Sequence, residues 1–341
     1  MPDNELTIVK GAEVHSILKG RETELMRAVR GAYVAHAKGD SSLPHSTFLT
    51  FPNESRNRII ALPAFLADDF QVAGLKWIAS FPGNTEQGLD RASAVLILNS
   101  AQTGFPVAIL ESSIISAKRT AASAALAASV LHGRAAERVG MIGCGLINYE
   151  IARFLLAAEL GVKSLLIYDV SSSQAQQFKR KCGELSPELE VELAGDVKIV
   201  LSQTQLISFA TTASKPHIPD LSACADGSTI LHISLRDLAP EVILSCDNVV
   251  DDVDHVARAQ TSIHLAEQLA GNRDFIRCTL ADVLTGRHEP RRDPAKIVVF
   301  SPFGLGVLDL AVGQMVLDLA RAAGRYTSID SFLPEHWIDR H

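Results

Sequence analysis

The spacing of hydrophobic and polar positions changes along the chain, and the first third is mostly β-rich. Residues Arg21–Lys38 carry apolar side chains at the three- and four-residue intervals of a helix. Four short runs of β-forming residues follow, separated by turn residues: Arg58–Ala64, Val72–Ser80, Ala94–Asn99 and Pro106–Glu111. This arrangement predicts an antiparallel meander.

The period switches at Thr120, where an alanine-rich helix is predicted to run to His132 and to end at Gly133. Beyond it, predicted strands and helices alternate. The strands are Val139–Ile142, Ser164–Tyr168, Leu206–Ala210, Ile230–Ile233, Asn248–Val250 and Ile297–Phe300, and the helices are Leu146–Leu160, Ser173–Cys182 and Val307–Ala323. Such alternation is typical of an α/β fold with a doubly wound parallel sheet.

Composition and charge argue against several broad classes of protein. With 47% hydrophobic and 21% charged residues, the chain has the composition of a globular protein. Its 32 basic and 39 acidic side chains give a net charge of −7, which is not the basic footprint of a nucleic-acid binder. The N-terminus lacks the apolar core of a signal peptide, and no run of 18 apolar residues indicates a membrane span. We therefore expect a cytoplasmic protein that binds neither nucleic acid nor membrane.

The five cysteines are dispersed along the chain and form no C-x-x-C pair. This pattern favours reduced thiols over a disulfide framework or a zinc site. We therefore expect no metal.

A glycine turn, Gly143-Cys144-Gly145, lies between a predicted strand and a predicted helix. That context is the one in which a G-x-G turn binds a dinucleotide: the first glycine permits the tight turn, and the second lets the main chain approach a pyrophosphate. Asn148 stands where the motif has a third small residue.

Asp169 ends the next predicted strand, where a dinucleotide-binding unit places an acidic residue on the ribose. A carboxylate there repels a 2′-phosphate and favours NAD over NADP, and no arginine follows it in Val170–Ser172. The alternative is a strand-end aspartate that only caps the following helix.

Three cationic side chains of the first domain are candidate anion ligands. Lys76 lies in the middle of a strand between Leu75 and Trp77, so it either extends to solvent or meets an anion. Arg119 is predicted to open the alanine-rich helix, where the helix dipole does not favour a cation; it either binds a carboxylate or is a surface arginine. Arg58 is the third candidate.

Asp237 follows the predicted strand Ile230–Ile233, at the edge of the sheet where parallel α/β folds place ligands. It could activate water or relay a proton, or it could cap the turn that contains Pro240. His232 lies within the strand and is interpreted as a packed histidine.

These residues resemble the ornithine cyclodeaminase and μ-crystallin family over nearly the whole chain. The resemblance rests on Lys76, the segment Ser116–Ala122, the turn at Gly143–Gly145 and the segment Phe303–Asp309. Three longer segments are similar to one branch, the dehydrogenases of 2,3-diaminopropionate biosynthesis: Gly74–Asn84, Arg91–Ala94 and Ile233–Leu238.

The resemblance implies a Rossmann-type NAD-binding domain of residues 121–304, inserted in an α+β domain of residues 1–120 and 305–341 that binds substrate and forms a homodimer. It makes Asp237 and Lys76 the catalytic residues and places Lys76 and Arg119 on the α-carboxylate of the substrate. The residues that would line the NAD site are Ser93, Arg119, Gly143, Gly145, Leu146, Ile147, Asp169, Thr211, Ser234 and Gly304. Many members carry an arginine within the segment that here reads Pro44–Thr50; this chain has none there, and Arg56 or Arg58 could replace it.

The expected activity is NAD-dependent oxidation of N-(2-amino-2-carboxyethyl)-L-glutamate to L-2,3-diaminopropionate and 2-oxoglutarate, for siderophore or peptide-antibiotic synthesis. A PLP-dependent enzyme similar to cysteine synthase would supply the substrate. The alternatives are ornithine cyclodeaminase, a ketimine reductase or amino-acid dehydrogenase, and a non-catalytic binding protein of the μ-crystallin type.

Overall fold

The computed structural model describes residues 5–333 and divides the chain into two compact units. Unit 1 consists of Met1–Arg119 and Leu305–His341, and unit 2 of Thr120–Gly304. Strands and helices are numbered in chain order.

Unit 1 is built around a mixed sheet of eight strands. Its strands are β1 (Leu6–Val9), β2 (Ser41–Ser42), β3 (Thr47–Phe51), β4 (Glu54–Leu66), β5 (Val72–Ser80), β6 (Ala92–Ser100), β7 (Pro106–Glu111) and β16 (Thr327–Ile329); its helices are α1 (Gly11–Leu18), α2 (Glu22–Lys38), the 3₁₀ helix Pro82–Gln87 and α11 (Gly306–Ala322). Strands β4 to β7 run antiparallel in sequence order, which confirms the predicted meander, and β1 joins β7 in parallel.

Helix α11 covers one face of this sheet at very close range. A methyl group at Gly313 would lie 2.2 Å from Leu96 Cδ2, and one at Gly74 would lie 2.3 Å from the carbonyl oxygen of Ile97. Glycine at both positions therefore lets the helix and the strands approach, which buries the side chains on this face of β5 and β6.

Helix α3 (Ser113–Leu131) begins earlier than predicted and runs through the boundary between the units. Its first turn is held by Glu111, whose carboxylate accepts hydrogen bonds from the main-chain N–H of Ser113 (2.7 Å) and Ile114 (3.3 Å). The β-branched residues at the start of the helix favour a strand by their local preference, so the sequence pattern does not reveal this capped end. The expectation that Arg119 opens the helix is therefore wrong: Arg119 lies inside it.

Within residues 5–333, α3 is also the single helix that is long and apolar enough to cross a membrane by length and composition. Of its most apolar window, 78% is buried inside the fold.

Unit 2 is built on a parallel sheet of eight strands with the order β10-β9-β8-β11-β12-β15-β13-β14. Its strands are β8 (Arg138–Ile142), β9 (Ser164–Tyr168), β10 (Glu190–Leu193), β11 (Leu206–Phe209), β12 (Thr229–His232), β13 (Asp247–Val250), β14 (Ile276–Thr279) and β15 (Val298–Ser301); its helices are α4 (Leu146–Ala157), α5 (Ser172–Gly183), α6 (Val197–Gln203), α7 (Pro240–Ser245), α8 (Val253–Val256), α9 (Ser262–Ala270) and α10 (Leu280–Leu284). The predicted doubly wound Rossmann-type sheet is confirmed. The order of strands reverses on either side of β8, and such a reversal opens a crevice at the carboxyl ends of the strands.

A buried carboxylate fixes the segment that follows β15. Asp251, just after β13, accepts hydrogen bonds from the main-chain N–H groups of Phe303 (2.8 Å), Gly304 (2.7 Å) and Asp252 (2.9 Å). Gly304 adopts a left-handed φ of +92°. Burial raises the pKa of Asp251 from 3.8 to about 6, although these three donors oppose the shift.

Replacing Asp251 by asparagine should change how stability depends on pH. Because the pKa of Asp251 is higher in the folded state, its contribution to stability is full below pH 3.8 and is lost as the pH rises through about 6. The unfolding free energy of the wild type minus that of Asp251→Asn should therefore fall by up to about 3 kcal/mol between pH 4 and 7. Urea titrations at several pH values measure it; a difference that does not vary with pH would contradict the role of Asp251.

Candidate active site

The glycine turn of unit 2 lies at the carboxyl end of β8, beside the reversal of strand order. Gly143 has a φ of +91°, and a methyl group there would lie 2.5 Å from the carbonyl oxygen of Ala210. At Gly145 a methyl group would meet nothing within 4 Å. Gly143 is therefore required by the fold itself, whereas Gly145 keeps open space in front of the main chain and of the N-terminus of α4.

Asn148 replaces the usual third small residue and braces the turn. It is fully buried, and its side-chain amide donates to the carbonyl oxygens of Ile142 (3.0 Å) and Gly143 (2.7 Å). Its Oδ1 accepts a hydrogen bond from the hydroxyl of Ser208 on β11 (2.7 Å). This departure from the motif thus links the turn to the two strands on either side of the crevice.

Asp169 is tied to the same turn. Its Oδ2 accepts the main-chain N–H of Cys144 (2.7 Å), and its Oδ1 accepts that of Ser171 (2.8 Å). The helix that follows is capped by Ser171, not by Asp169. The carboxylate therefore stands beside the glycine turn, as the interpretation of Asp169 as a ribose ligand requires.

Asp237 lies at the centre of a cluster of polar side chains in unit 2. It is completely buried, and its two carboxylate oxygens accept hydrogen bonds from the hydroxyls of Thr211 and Ser234, which are themselves only half-buried. His232 Nε2 lies 3.2 Å from the main-chain nitrogen of Asp237 and 3.3 Å from its Oδ2. The alternative that Asp237 caps the following helix is wrong, since Ala239 is the N-cap of α7.

The surroundings of Asp237 keep it ionised. Burial alone would raise its pKa, but the hydrogen bond and charge of His232 and the hydroxyls of Ser234 and Thr211 hold the pKa of Asp237 below its ordinary value. At neutral pH the carboxylate is therefore in its ionised form, which can accept a proton and has none to supply. The hydroxyls of Thr211 and Ser234 connect the buried carboxylate to the less buried part of the cluster.

In unit 1, Lys76 and Arg119 share one buried carboxylate. Lys76 Nζ lies 2.7 Å from Asp309 Oδ2, and Arg119 Nε lies 3.1 Å from Asp309 Oδ1. The hydroxyl of Ser116 accepts from both cations, at 3.3 and 3.4 Å. Lys76 is 2% exposed and Asp309 0%, so Lys76 meets an anion and does not extend to solvent.

This cluster carries more positive than negative charge. Two cations face one carboxylate, so the three side chains sum to +1 while Lys76 is protonated. Burial and then the charge of Arg119 lower the pKa of Lys76 to about 8, although Asp309 opposes them. An arriving carboxylate would balance the excess charge, so the cluster is suited to binding an organic acid.

Asp309 is the residue of this cluster that the sequence motifs did not single out for a role. The available signal was a single acidic residue in the first two turns of α11, which are otherwise apolar, and Asp309 lies among the buried residues of that helix. A buried carboxylate requires a partner, and that rule points to the buried lysine.

The remaining candidates lie apart from these clusters. Arg58 on β4 shares the sheet face of Lys76 but lies four residue pairs farther along the strand, which is two rows on that face. Ser93 on β6 belongs to the opposite, exposed face. Leu146 and Ile147 begin α4 beside the glycine turn, and Leu146 is 62% exposed. Over residues 5–333, no group of three or more His, Cys, Asp or Glu side chains is arranged to hold a metal ion.

Replacing Asp309 by asparagine should destabilise the protein strongly, because two buried cations then face no negative charge. The expected loss of unfolding free energy is about 3–5 kcal/mol. Asp318→Asn is the matched control, since Asp318 lies on the same helix and is exposed; its effect should stay within about 0.5 kcal/mol. Urea denaturation followed by circular dichroism measures both, and equal effects would contradict the central position of Asp309.

Known proteins resemble this chain over most of its length. The chain is 27% identical to the N-((2S)-2-amino-2-carboxyethyl)-L-glutamate dehydrogenase of Staphylococcus aureus, over 89% of this chain and 92% of that protein. An archaeal alanine dehydrogenase dimer with bound NAD superposes with a TM-score of 0.87 at 27% identity, covering 96% of this chain and 100% of that one.

The same fold is found in the Δ(1)-pyrroline-2-carboxylate reductase of Thermococcus litoralis, solved with NADH and L-proline. The TM-score is 0.88 at 21% identity, over 95% of this chain and 100% of that one. A model of the ornithine cyclodeaminase/mu-crystallin family matches residues 7–324. As its motifs predict, the chain therefore belongs to the ornithine cyclodeaminase/mu-crystallin family.

Proposed function

We propose that this protein is an NAD-dependent oxidoreductase of amino acids that cleaves N-(2-amino-2-carboxyethyl)-L-glutamate to L-2,3-diaminopropionate and 2-oxoglutarate. The observation that carries the proposal is that unit 2 holds an open dinucleotide turn beside Asp169 and that unit 1 holds a buried cationic cluster of net charge +1. Relatives named as amino-acid dehydrogenases and reductases support the coarser activity, and the relative from S. aureus supports this substrate.

The residues of unit 2 fit a bound dinucleotide. The open space at Gly145 admits a pyrophosphate to the N-terminus of α4, and Asp169 offers a carboxylate to ribose hydroxyls. The side chain after Asp169 is Val170, so no arginine is at hand to balance a 2′-phosphate, which favours NAD over NADP. When bound, NAD supplies the two-electron oxidation as a hydride acceptor.

The cationic cluster of unit 1 would orient the substrate. The α-carboxylate of the glutamate half would bind to Lys76 and Arg119 while Asp309 keeps both side chains in place. A carboxylate held by two cations fixes the direction of the adjacent C–H bond, and such orientation contributes directly to rate.

Asp237 would accept protons from the substrate or water through the hydroxyls of Ser234 and Thr211, without touching the substrate itself. The carboxylate is completely buried, whereas Ser234 and Thr211 are only half-buried and both donate to it. A proton leaving the amine or the attacking water would reach one of these hydroxyl oxygens as the hydroxyl proton passes to Asp237. Because its surroundings keep Asp237 ionised, the carboxylate is in the form that can accept this proton.

The proposed reaction is balanced without any other reagent. The α-carbon loses a hydride and the secondary amine loses a proton, which leaves a C=N bond. Water adds its oxygen to that carbon, both protons of the water pass to the nitrogen, and the C–N bond breaks as the C=O bond forms. The products are a 2-oxo acid and a primary amine.

The other activities within the family remain alternatives that a substrate panel separates. Ornithine cyclodeaminase would release ammonia and proline from ornithine, and an alanine dehydrogenase or ketimine reductase would act on a simpler amine or imine. A non-catalytic binding protein would bind NAD without turnover.

Incubation of the protein with N-(2-amino-2-carboxyethyl)-L-glutamate and NAD should produce NADH, followed by its absorbance, with 2-oxoglutarate in equal amount. NADP should be at least about tenfold less effective because Asp169 repels its 2′-phosphate.

Asp237→Asn should lower kcat by at least about 100-fold with little change in NAD affinity.

L-Ornithine and L-alanine serve as comparison substrates in the same assay. The proposal fails if the secondary amine yields no NADH while ornithine yields proline, or if alanine is oxidised faster than the secondary amine.

A homodimer is supported by the exposed face of the unit 1 sheet. Opposite the face covered by α11, Leu49, Trp77 and Val95 are 46, 40 and 40% exposed, although large apolar side chains are normally buried. The archaeal alanine dehydrogenase that shares the fold is itself a dimer. We propose that a second copy of the chain covers this face.

Val95→Glu should therefore shift the protein from twice the 36.7 kDa chain mass to the monomer mass in light scattering. Gln102→Glu, in the exposed turn between β6 and β7, is the control and should leave the mass unchanged. A Val95→Glu variant that keeps the wild-type mass would exclude this face as the interface.

Within a pathway, the proposed product would enter siderophore or peptide-antibiotic assembly, and a PLP-dependent enzyme similar to cysteine synthase would make the substrate. The name of the S. aureus relative supports the substrate, and the pathway is what the resemblance to the 2,3-diaminopropionate branch implies.

A further inference from the structure

The sheet face that carries Lys76 also carries Arg58, and a second cation, Arg91, lies immediately before Ala92 of the same row. Arg58 lies on β4 directly opposite Ser80 of β5, and Ser80 in turn pairs with Ala92, the residue after Arg91. Side chains directly opposite each other in an antiparallel sheet share a face, so Arg58 and Lys76 belong to the same side.

Neither guanidinium of this pair has a carboxylate partner among residues 5–333. Arg58 Nε is buried and makes no hydrogen bond there. Burial and then the charge of Arg58 lower the pKa of Arg91 from its ordinary value, so the two like charges are close enough to repel. Two partly buried cations without a counter-ion destabilise the free protein, and an anion bound to them would relieve that cost.

An apolar row separates this pair from the Lys76 cluster. Along the shared face, the row of Lys76 is followed by the row of Ile60, Ile78 and Ala94, and then by the row of Arg58 and Ser80. Successive rows are about 7 Å apart along a strand. The face therefore presents cation, hydrocarbon and cation in order, which is the pattern of a molecule with two carboxylates joined by methylene groups.

We infer that Arg58 and Arg91 form a second carboxylate subsite, which binds the side-chain carboxylate of the amino acid that is oxidised. The inference rests on the proposed function for its choice of substrate and deepens it: the enzyme would select a dicarboxylic, glutamate-like half over alanine- or ornithine-like ones. The methylene groups would lie against Ile60 and Ile78.

The binding test uses two 2-oxo acids that differ in the distal carboxylate and its methylene spacer, 2-oxoglutarate and pyruvate. Isothermal titration of the purified protein with NADH present should give at least about tenfold tighter binding of 2-oxoglutarate, the value expected for a charge-assisted hydrogen bond. Arg58→Gln and Arg91→Gln should each weaken 2-oxoglutarate binding by at least about tenfold and leave pyruvate binding unchanged.

Arg27→Gln, an exposed arginine of α2, is the matched control for loss of one positive charge. Melting curves of the free variants check folding, and Arg58→Lys, which keeps the charge, should bind 2-oxoglutarate more tightly than Arg58→Gln. The inference is overturned if the wild type binds the two acids equally, or if the variants weaken both acids to the same extent.

Failure of the subsite and failure of the proposed function give different results. If Arg58→Gln and Arg91→Gln form NADH from the secondary amine with an unaltered KM, the subsite is disproved and the proposed function stands. If the protein binds 2-oxoglutarate selectively but forms no NADH from the secondary amine, the proposed reaction is disproved and the subsite stands.

Discussion

The structure of unit 1 depends on one buried carboxylate. Asp309 joins Lys76 from the middle of the sheet to Arg119 from α3, so three segments distant in sequence meet at two oxygen atoms. Without that carboxylate neither cation could remain buried, because the desolvation of an unpaired charge exceeds what packing returns. The glycines that let α11 approach the sheet are what bring Asp309 within reach.

The two units stabilise their buried charged side chains in different ways. In unit 1 charges neutralise one another directly, and a net positive charge remains. In unit 2 Asp237 and Asp251 are held largely by neutral donors, hydroxyls for the former and main-chain N–H groups for the latter. Burial raises the pKa of Asp251, and the charge of Asp252 adds to that shift. At Asp237 the imidazole of His232 and the two hydroxyls outweigh burial and lower the pKa.

The spacing of hydrophobic residues predicted the longer strands and helices. It missed the elements whose bounds depend on particular contacts. The meander, the strands around the glycine turn and α11 follow from local pattern alone. The start of α3 depends on Glu111, and the short helices α7 to α10 have four to nine residues each, too few for a helical period to stand out. The pairing of Lys76 with Asp309, 233 positions apart, is a tertiary contact that no local pattern contains.

The glycine turn has a consequence for how this chain can vary over evolution. Its shape is held by Asn148, by Asp169 and by main-chain groups, while Leu146 points largely to solvent and no side chain fills the space at Gly145. Recognition that rests on the main chain makes few demands on neighbouring side-chain identity. Homologues can therefore vary at these neighbouring positions while the shape of the glycine turn is retained.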